Sequence, residues 1–175
     1  MDELIRLLQE TFFISDTSGV EAYAGSYSAP LILLSFLIAA LGSFTALRIS
    51  HEMHFAQGAR RHLLHGAGAL CFGAGIWAMH FIGMLAFSAP LDISYDHRIT
   101  LLSLLIAMAV SYVVMHLLGR DRLSVPQYAL AGTAAGIGIA AMHYTGMAAI
   151  RSLATLYYAP LAFAASVLIA IGASI

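Results

Sequence analysis

Lysine is absent from this 175-residue chain, and every basic side chain except histidine is an arginine. Cysteine occurs once, as Cys71, which excludes an internal disulfide. Charged residues make up only 10% of the chain, where a soluble domain carries about a quarter. The net charge of −1 gives no electrostatic footprint for nucleic acid. Between the arginines the long apolar stretches hold no Asp, Glu or Lys, so a proton or metal-ion transport path has only histidines to build on. No acid–base pair and no nucleophile–base arrangement is legible, so no catalytic activity is expected. Nor is a cleavable signal sequence expected. Residues 1–10 are acidic and amphipathic, with Leu4, Ile5, Leu7 and Leu8 apolar, and are expected to form an interfacial helix within an N-terminal segment, 1–25.

What the chain has is apolar length. It is 61% hydrophobic, with mean hydropathy +0.86. Five windows carry no charge: 22–47, 62–91, 99–119, 123–150 and 152–175. Each is long enough for a helix across a hydrocarbon core of about 30 Å, which takes about 20 residues. The expected fold is an all-α integral membrane protein of about five transmembrane helices. Orientation follows from the arginines. With the N-terminus outside, the inner loops hold Arg48, Arg60, Arg61, Arg120 and Arg122, and most acidic residues fall outside.

The windows repeat. Segments 27–43 (YSAPLILLSFLIAALGS), 95–111 (YDHRITLLSLLIAMAVS) and 158–174 (YAPLAFAASVLIAIGAS) align without gaps. All share a tyrosine, seven residues, then S-x-L-I-A-x-x-x-S. Segments 73–84 (GAGIWAMHFIGM) and 136–147 (GIGIAAMHYTGM) also align. The unit is a two-helix hairpin, expected at 26–94 and 95–157, with a half-repeat at 158–175. Two helices per unit make the repeats parallel, about an axis near the membrane normal. Both motif helices then run from inside to outside, with their histidines at one level in the outer half. That level is expected 7–10 residues, about 10–15 Å, before the helix ends. The third unit stops after its first helix, and a third motif is expected about 30 residues beyond Ile175.

In each motif, His80 and Met84, and His143 and Met147, are four apart and share a helix face. Met79 and Met142 lie about 100° round and are weaker partners. Imidazole with thioether suits a soft metal: copper first, with zinc or a haem iron as alternatives. A b-type haem would take His80 and His143 as axial ligands. The plainer alternative is a histidine hydrogen-bonded to a serine on the next helix. Gly83 and Gly146 would let a neighbouring helix approach. Gly132, Gly136 and Ala140 form a small-residue stripe for close packing. The tyrosines read as interface anchors, and Phe81 standing where Tyr144 recurs shows that no phenol is required at both.

Four further histidines, His51, His54, His62 and His65, lie in 51–65 (HEMHFAQGARRHLLH). HEMH is one residue short of the H-E-x-x-H zinc motif, and the stretch reads as a solvated, arginine-flanked loop. His97 and His116 have no repeat partner and receive no role. Cys71 reads as core.

With GIWAMHFIGMLAF and GIAAMHYTGMAAI recurring between S-x-L-I-A helices, residues 26–175 resemble the MHYT family of bacterial integral-membrane sensor domains. The resemblance implies a bacterial cytoplasmic-membrane domain with three motif helices near the outer face, of which two are here. It implies copper held by Met79, His80, Met84, Met142, His143 and Met147. A diatomic gas or redox signal would be the stimulus, and the partner a cytosolic output domain of cyclic di-GMP metabolism. The open half-repeat leaves an apolar face that a second copy would cover in a homodimer.

Overall fold

The computed structural model describes residues 13, 25–120 and 124–175. The expected interfacial helix at 1–10 and Arg122 lie outside them. Five helices account for most of the described chain: α1 (Ala29–Phe55), α2 (Gly58–Leu85), α3 (His97–Leu118), α4 (Val125–Ala148) and α5 (Pro160–Ser174). Four two-residue strands accompany them: β1 (Ser26–Tyr27) before α1, β2 (Phe87–Ser88) and β3 (Ser94–Tyr95) between α2 and α3, and β4 (Ile150–Arg151) between α4 and α5.

Helices α1, α2 and α3 are long and apolar enough to cross a bilayer, and the chain is a membrane protein. Helix α4 has 24 residues, but Gln127, His143, its threonines and its glycines dilute its hydropathy. Helix α5 has 15, short of the roughly 20 that the hydrocarbon core takes.

The elements begin and end where local chemistry dictates. Pro30, Pro126 and Pro160 stand in the first turns of α1, α4 and α5, where no N–H is needed. Asp96 caps α3, accepting from the N–H groups of Arg98 (2.9 Å) and Ile99 (3.3 Å). The Ile99 N–H holds its carboxyl below the usual range, helped by the Arg98 N–H and by Arg151. Only Ala56 and Gln57 separate α1 from α2. The chain reverses there because Gly58 takes φ +54°, which costs glycine little.

Each helix packs on the next in sequence, so the molecule is a row of antiparallel hairpins. The motif helices α2 and α4 are gripped on both sides through glycines two positions apart, about 200° round the helix. A Cβ on Gly73 would meet the α3 backbone at Ala107 and Met108, and one on Gly136 would meet the α5 backbone at Ala170 and Ile171. On the opposite side, Gly75 abuts Gly42 of α1, and Gly138 abuts Val110 of α3. All four contacts recur at the spacing of the sequence repeat. Gly132 faces Ser174 and Ile175, so the Gly132–Gly136 stripe seats α5.

Outward faces carry Phe36, Leu41, Phe44, Leu101, Leu105 and Leu168, all well exposed. Small and polar residues lie inside, with Ser103 and Ser111 fully buried. In lipid, apolar residues gain nothing by turning inward, and close backbone contact drives association.

Strands tie the hairpins at their open ends. β1 pairs antiparallel with β2 (Ser26 with Ser88, Tyr27 with Phe87), and β3 with β4 (Ser94 with Arg151, Tyr95 with Ile150). The Ser28 N–H donates to the Ala86 carbonyl and the Asp96 N–H to the Ala149 carbonyl, each at 2.8 Å. At the third position Tyr158 bridges Phe13 instead.

At the opposite end, Arg61 donates to the Gly119 carbonyl (2.7 Å) and Ser50 to the Leu118 carbonyl (3.3 Å). Both satisfy acceptors that the end of α3 leaves open. Segment 51–65 is not a loop: it is helical apart from residues 56 and 57. His51, His54 and His62 are exposed, but His65 is buried. Its Nε2 donates to the Tyr112 carbonyl at 2.9 Å, and its ring stacks on Tyr112 with centroids 4.0 Å apart. The arginine-rich sequence masked this, because helix α3 shields only one face of the segment. His116 meets Arg120 (3.3 Å) and lies beside His65.

Candidate functional site

Both motif histidines come together. His80 on α2 and His143 on α4 place their Nδ1 atoms 3.2 Å apart, with ring centroids 4.7 Å apart and planes at 65°. They lie closer to the helix ends than the spacing predicts. His80 precedes Leu85, the last residue of α2, by five positions, as His143 precedes Ala148 of α4. That is about 7.5 Å at 1.5 Å per residue. The helices stop early because the buried caps Ala86 and Ala149 give their carbonyls to the start of the preceding helix in each hairpin.

His80 is 8% exposed, and its Nε2 lies buried without a hydrogen-bond partner among the described residues. The two Nδ1 atoms face each other, so in the metal-free pair one ring donates and the other accepts.

Gly146 makes the contact fit. A Cβ there would stand 2.6 Å from His80 Nε2, so only glycine lets the imidazole edge lie against α4. Gly83, its repeat equivalent, behaves differently: among the described residues nothing lies within 4 Å of a Cβ at that position. The expected approach of a neighbouring helix is found at Gly146 and not at Gly83.

A cavity of about 1170 Å³ opens beside the pair. Met79, Met84, Met142 and Met147 line it together with both histidines. Met142 is almost fully buried. Among the described residues no three His, Cys, Asp or Glu side chains converge, so a metal here would depend on thioethers to complete its ligands. The nitrogen geometry fits one. Two imidazole nitrogens about 2.0–2.1 Å from a tetrahedral ion stand about 3.3 Å apart.

The repeat serines form a second layer that the sequence did not disclose. Ser35, Ser103 and Ser166 each donate to the carbonyl three residues earlier, at 2.7–2.8 Å. The oxygen is left to accept. Ser103 accepts from the Trp77 indole N–H at 3.0 Å, and Ser166 from the Tyr144 hydroxyl. Trp77 and Phe81 are one turn apart on a shared face, so the indole supplies what Phe81 cannot. The exchange itself is visible in the sequence, but not the shared serine partner: Trp77 and Tyr144 occur where the other repeat has Ala140 and Phe81. The serine partners the tyrosine and not the histidine.

Comparison with known proteins gives one family. Its model, MHYT, described as a bacterial signalling protein N-terminal repeat, matches residues 73–131 and 136–175. The two matches begin at the paired glycines of α2 and α4. Over 149 residues, 85% of the chain, it is 52% identical to the cyclic di-GMP phosphodiesterase NbdA of Pseudomonas aeruginosa. Over the same length it is 43% identical to the bifunctional diguanylate cyclase/cyclic di-GMP phosphodiesterase MucR of that organism and 33% identical to the signaling protein YkoW of Bacillus subtilis. The matched region is 19%, 22% and 18% of those proteins, so the chain spans about a fifth of their length. No solved structure matches. With more than half of its residues inside the family model and both M-H-x-x-G-M motifs in the matched segments, the chain belongs to the MHYT family of signalling-protein N-terminal repeats.

Proposed function

We propose that this chain is a membrane-embedded sensory input module that holds a metal, copper before zinc, between His80 and His143. The 3.2 Å approach of two repeat-related imidazole nitrogens carries the reading. Met84, Met147, Met79 and Met142 supply soft thioethers at the cavity wall, and neutral ligands avoid placing carboxylates in lipid. A metal held there would supply an open coordination position for a diatomic gas or a redox change. The protein's part is to hold two imidazoles at one depth and to couple them to α2 and α4, which run to the opposite end of the molecule.

The relatives' names support an output in cyclic di-GMP turnover, carried by a cytosolic region outside the segment that this chain matches. The module itself would be non-catalytic, in the bacterial cytoplasmic membrane, with the N-terminus and the histidine pair toward the outside. A bis-histidine haem has less support, because directly touching imidazoles leave no slot for a porphyrin between them.

The test is elemental analysis with an absorption spectrum on the purified protein, beside the His80→Ala/His143→Ala double variant. About one copper per chain or per dimer, lost in the variant and without a Soret band, is the expected result. No metal in either protein after Cu(I) loading overturns the metal site.

A further inference from the structure

A histidine that holds a metal ordinarily gives its second ring nitrogen to an acceptor, which fixes the ring. His80 has no such partner among the described residues: its Nε2 is buried without a hydrogen bond. Its Nδ1 meets His143. One hydrogen bond leaves an imidazole free to swivel about that contact, so packing must fix it.

The packing is specific. His80 and Phe81 both lie over Gly146, where a Cβ would stand 2.6 Å from His80 Nε2 and 3.4 Å from Phe81 Cε2. Their ring centroids are 5.3 Å apart, with planes at 79°. Trp77 packs on Phe81 in turn, with centroids 4.6 Å apart. The indole is itself tethered, because its N–H donates to Ser103 of α3 at 3.0 Å. Ser103 is fully buried and gives its own proton to the Thr100 carbonyl, so its oxygen is left for Trp77. His143 has the equivalent arrangement in one step fewer. Its ring meets Tyr144 edge-on at 4.9 Å, and the Tyr144 hydroxyl bonds to Ser166 of α5.

We propose that Trp77 and Tyr144 are positioning residues of the histidine pair, each setting its imidazole through a hydrogen bond to the repeat serine of the next helix. The two solutions are interchangeable. Trp77→Ala/Phe81→Tyr copies Ala140 and Tyr144 of the second repeat, and its new hydroxyl would reach Ser103 as Tyr144 reaches Ser166. The effect on metal affinity rests on the metal reading above. The effect on the hydrogen bond between the two rings does not.

The experiment reads both. Solid-state NMR of the full chain in lipid, with isotope-labelled histidines, detects the bond between the two Nδ1 atoms in metal-free protein. Competition with a Cu(I) chelator gives the affinity. Trp77→Phe keeps an aromatic ring and removes the N–H. It should lose the bond between the rings and weaken Cu(I) binding about tenfold, the smaller end of what losing an outer hydrogen-bond partner costs a metal site. Ser103→Ala should do the same from the acceptor's side. Trp77→Ala/Phe81→Tyr should restore both readouts. Ser50→Ala removes a bond to the Leu118 carbonyl at the opposite end, and should lower stability with both readouts unchanged. Circular dichroism reports which variants fold. An intact bond between the rings in folded Trp77→Phe or Ser103→Ala, its absence from the unaltered chain, or no recovery in the double variant would each overturn the proposal. An unaltered chain that binds no Cu(I), but whose ring-to-ring bond is lost and regained in these variants, supports the proposal and overturns the metal reading alone.

Discussion

Ser103 shows how much one hydroxyl can organise in a membrane interior. It donates to Thr100 and accepts from Trp77 with no exposure at all. Replacing it with alanine leaves an indole N–H buried without a partner. Membrane hydrogen bonds of this kind contribute about 0.6–2 kcal/mol. Ser103→Ala should therefore lower stability by about 1 kcal/mol and shift the emission of the only tryptophan, measured by thermal unfolding in detergent with fluorescence. Ser35→Ala should do neither, because the Ser35 hydroxyl bonds only within its own helix, to the Ile32 carbonyl. At this scale the sequence was half legible. The histidines could be paired from repeat symmetry alone. The switch from Tyr144 to Trp77 could not, because it depends on which side of α2 faces α3.

At the scale of the helix, glycine placement decides the packing. Gly73→Leu would drive a side chain into the α3 backbone, where Ala107 and Met108 cannot move aside cheaply. Overpacking of this kind costs about 1–3 kcal/mol. Gly66→Leu, where nothing among the described residues lies within 4 Å, should be neutral or gain up to about 1 kcal/mol of helix propensity. Resistance of the folded form to proteolysis would rank the two, and equal stability would contradict the glycine contacts. Helix number and hairpin order were readable from charge-free windows and the gapless repeat. The depth of the histidines was not. The windows run past the helix ends into 86–96 and 149–159, and strand pairs with capped carbonyls, invisible to hydropathy, fix where the helices stop. Segment 51–65 misled for a related reason: its charges sit on helix ends, and the buried face of His65 appears only once α3 packs on it.

Across the whole molecule, the turn at 56–57 and the residues after Leu118 lie at one end, and the strand pairs with Asp96 and Arg151 at the other. Arg48, Arg60, Arg61 and Arg120 crowd the first end. With that end inside, a cysteine at Ala89 in a Cys71→Ser background should react with an impermeant maleimide on intact cells. One at Gln57 should react only after permeabilisation. The reverse pattern would invert the proposed orientation. The seating of His80 on Gly146 bears on how such units can assemble. In this contact α2 gives its histidine and α4 receives it on its glycine, and the giving and receiving surfaces differ. Contacts of this head-to-tail kind advance by a rotation in one sense, and only closure around an axis satisfies every giver and receiver. A two-fold partner related through this contact would set like against like. The motif thus prescribes a direction of travel around the axis, and with it the hand of any larger ring of these helices.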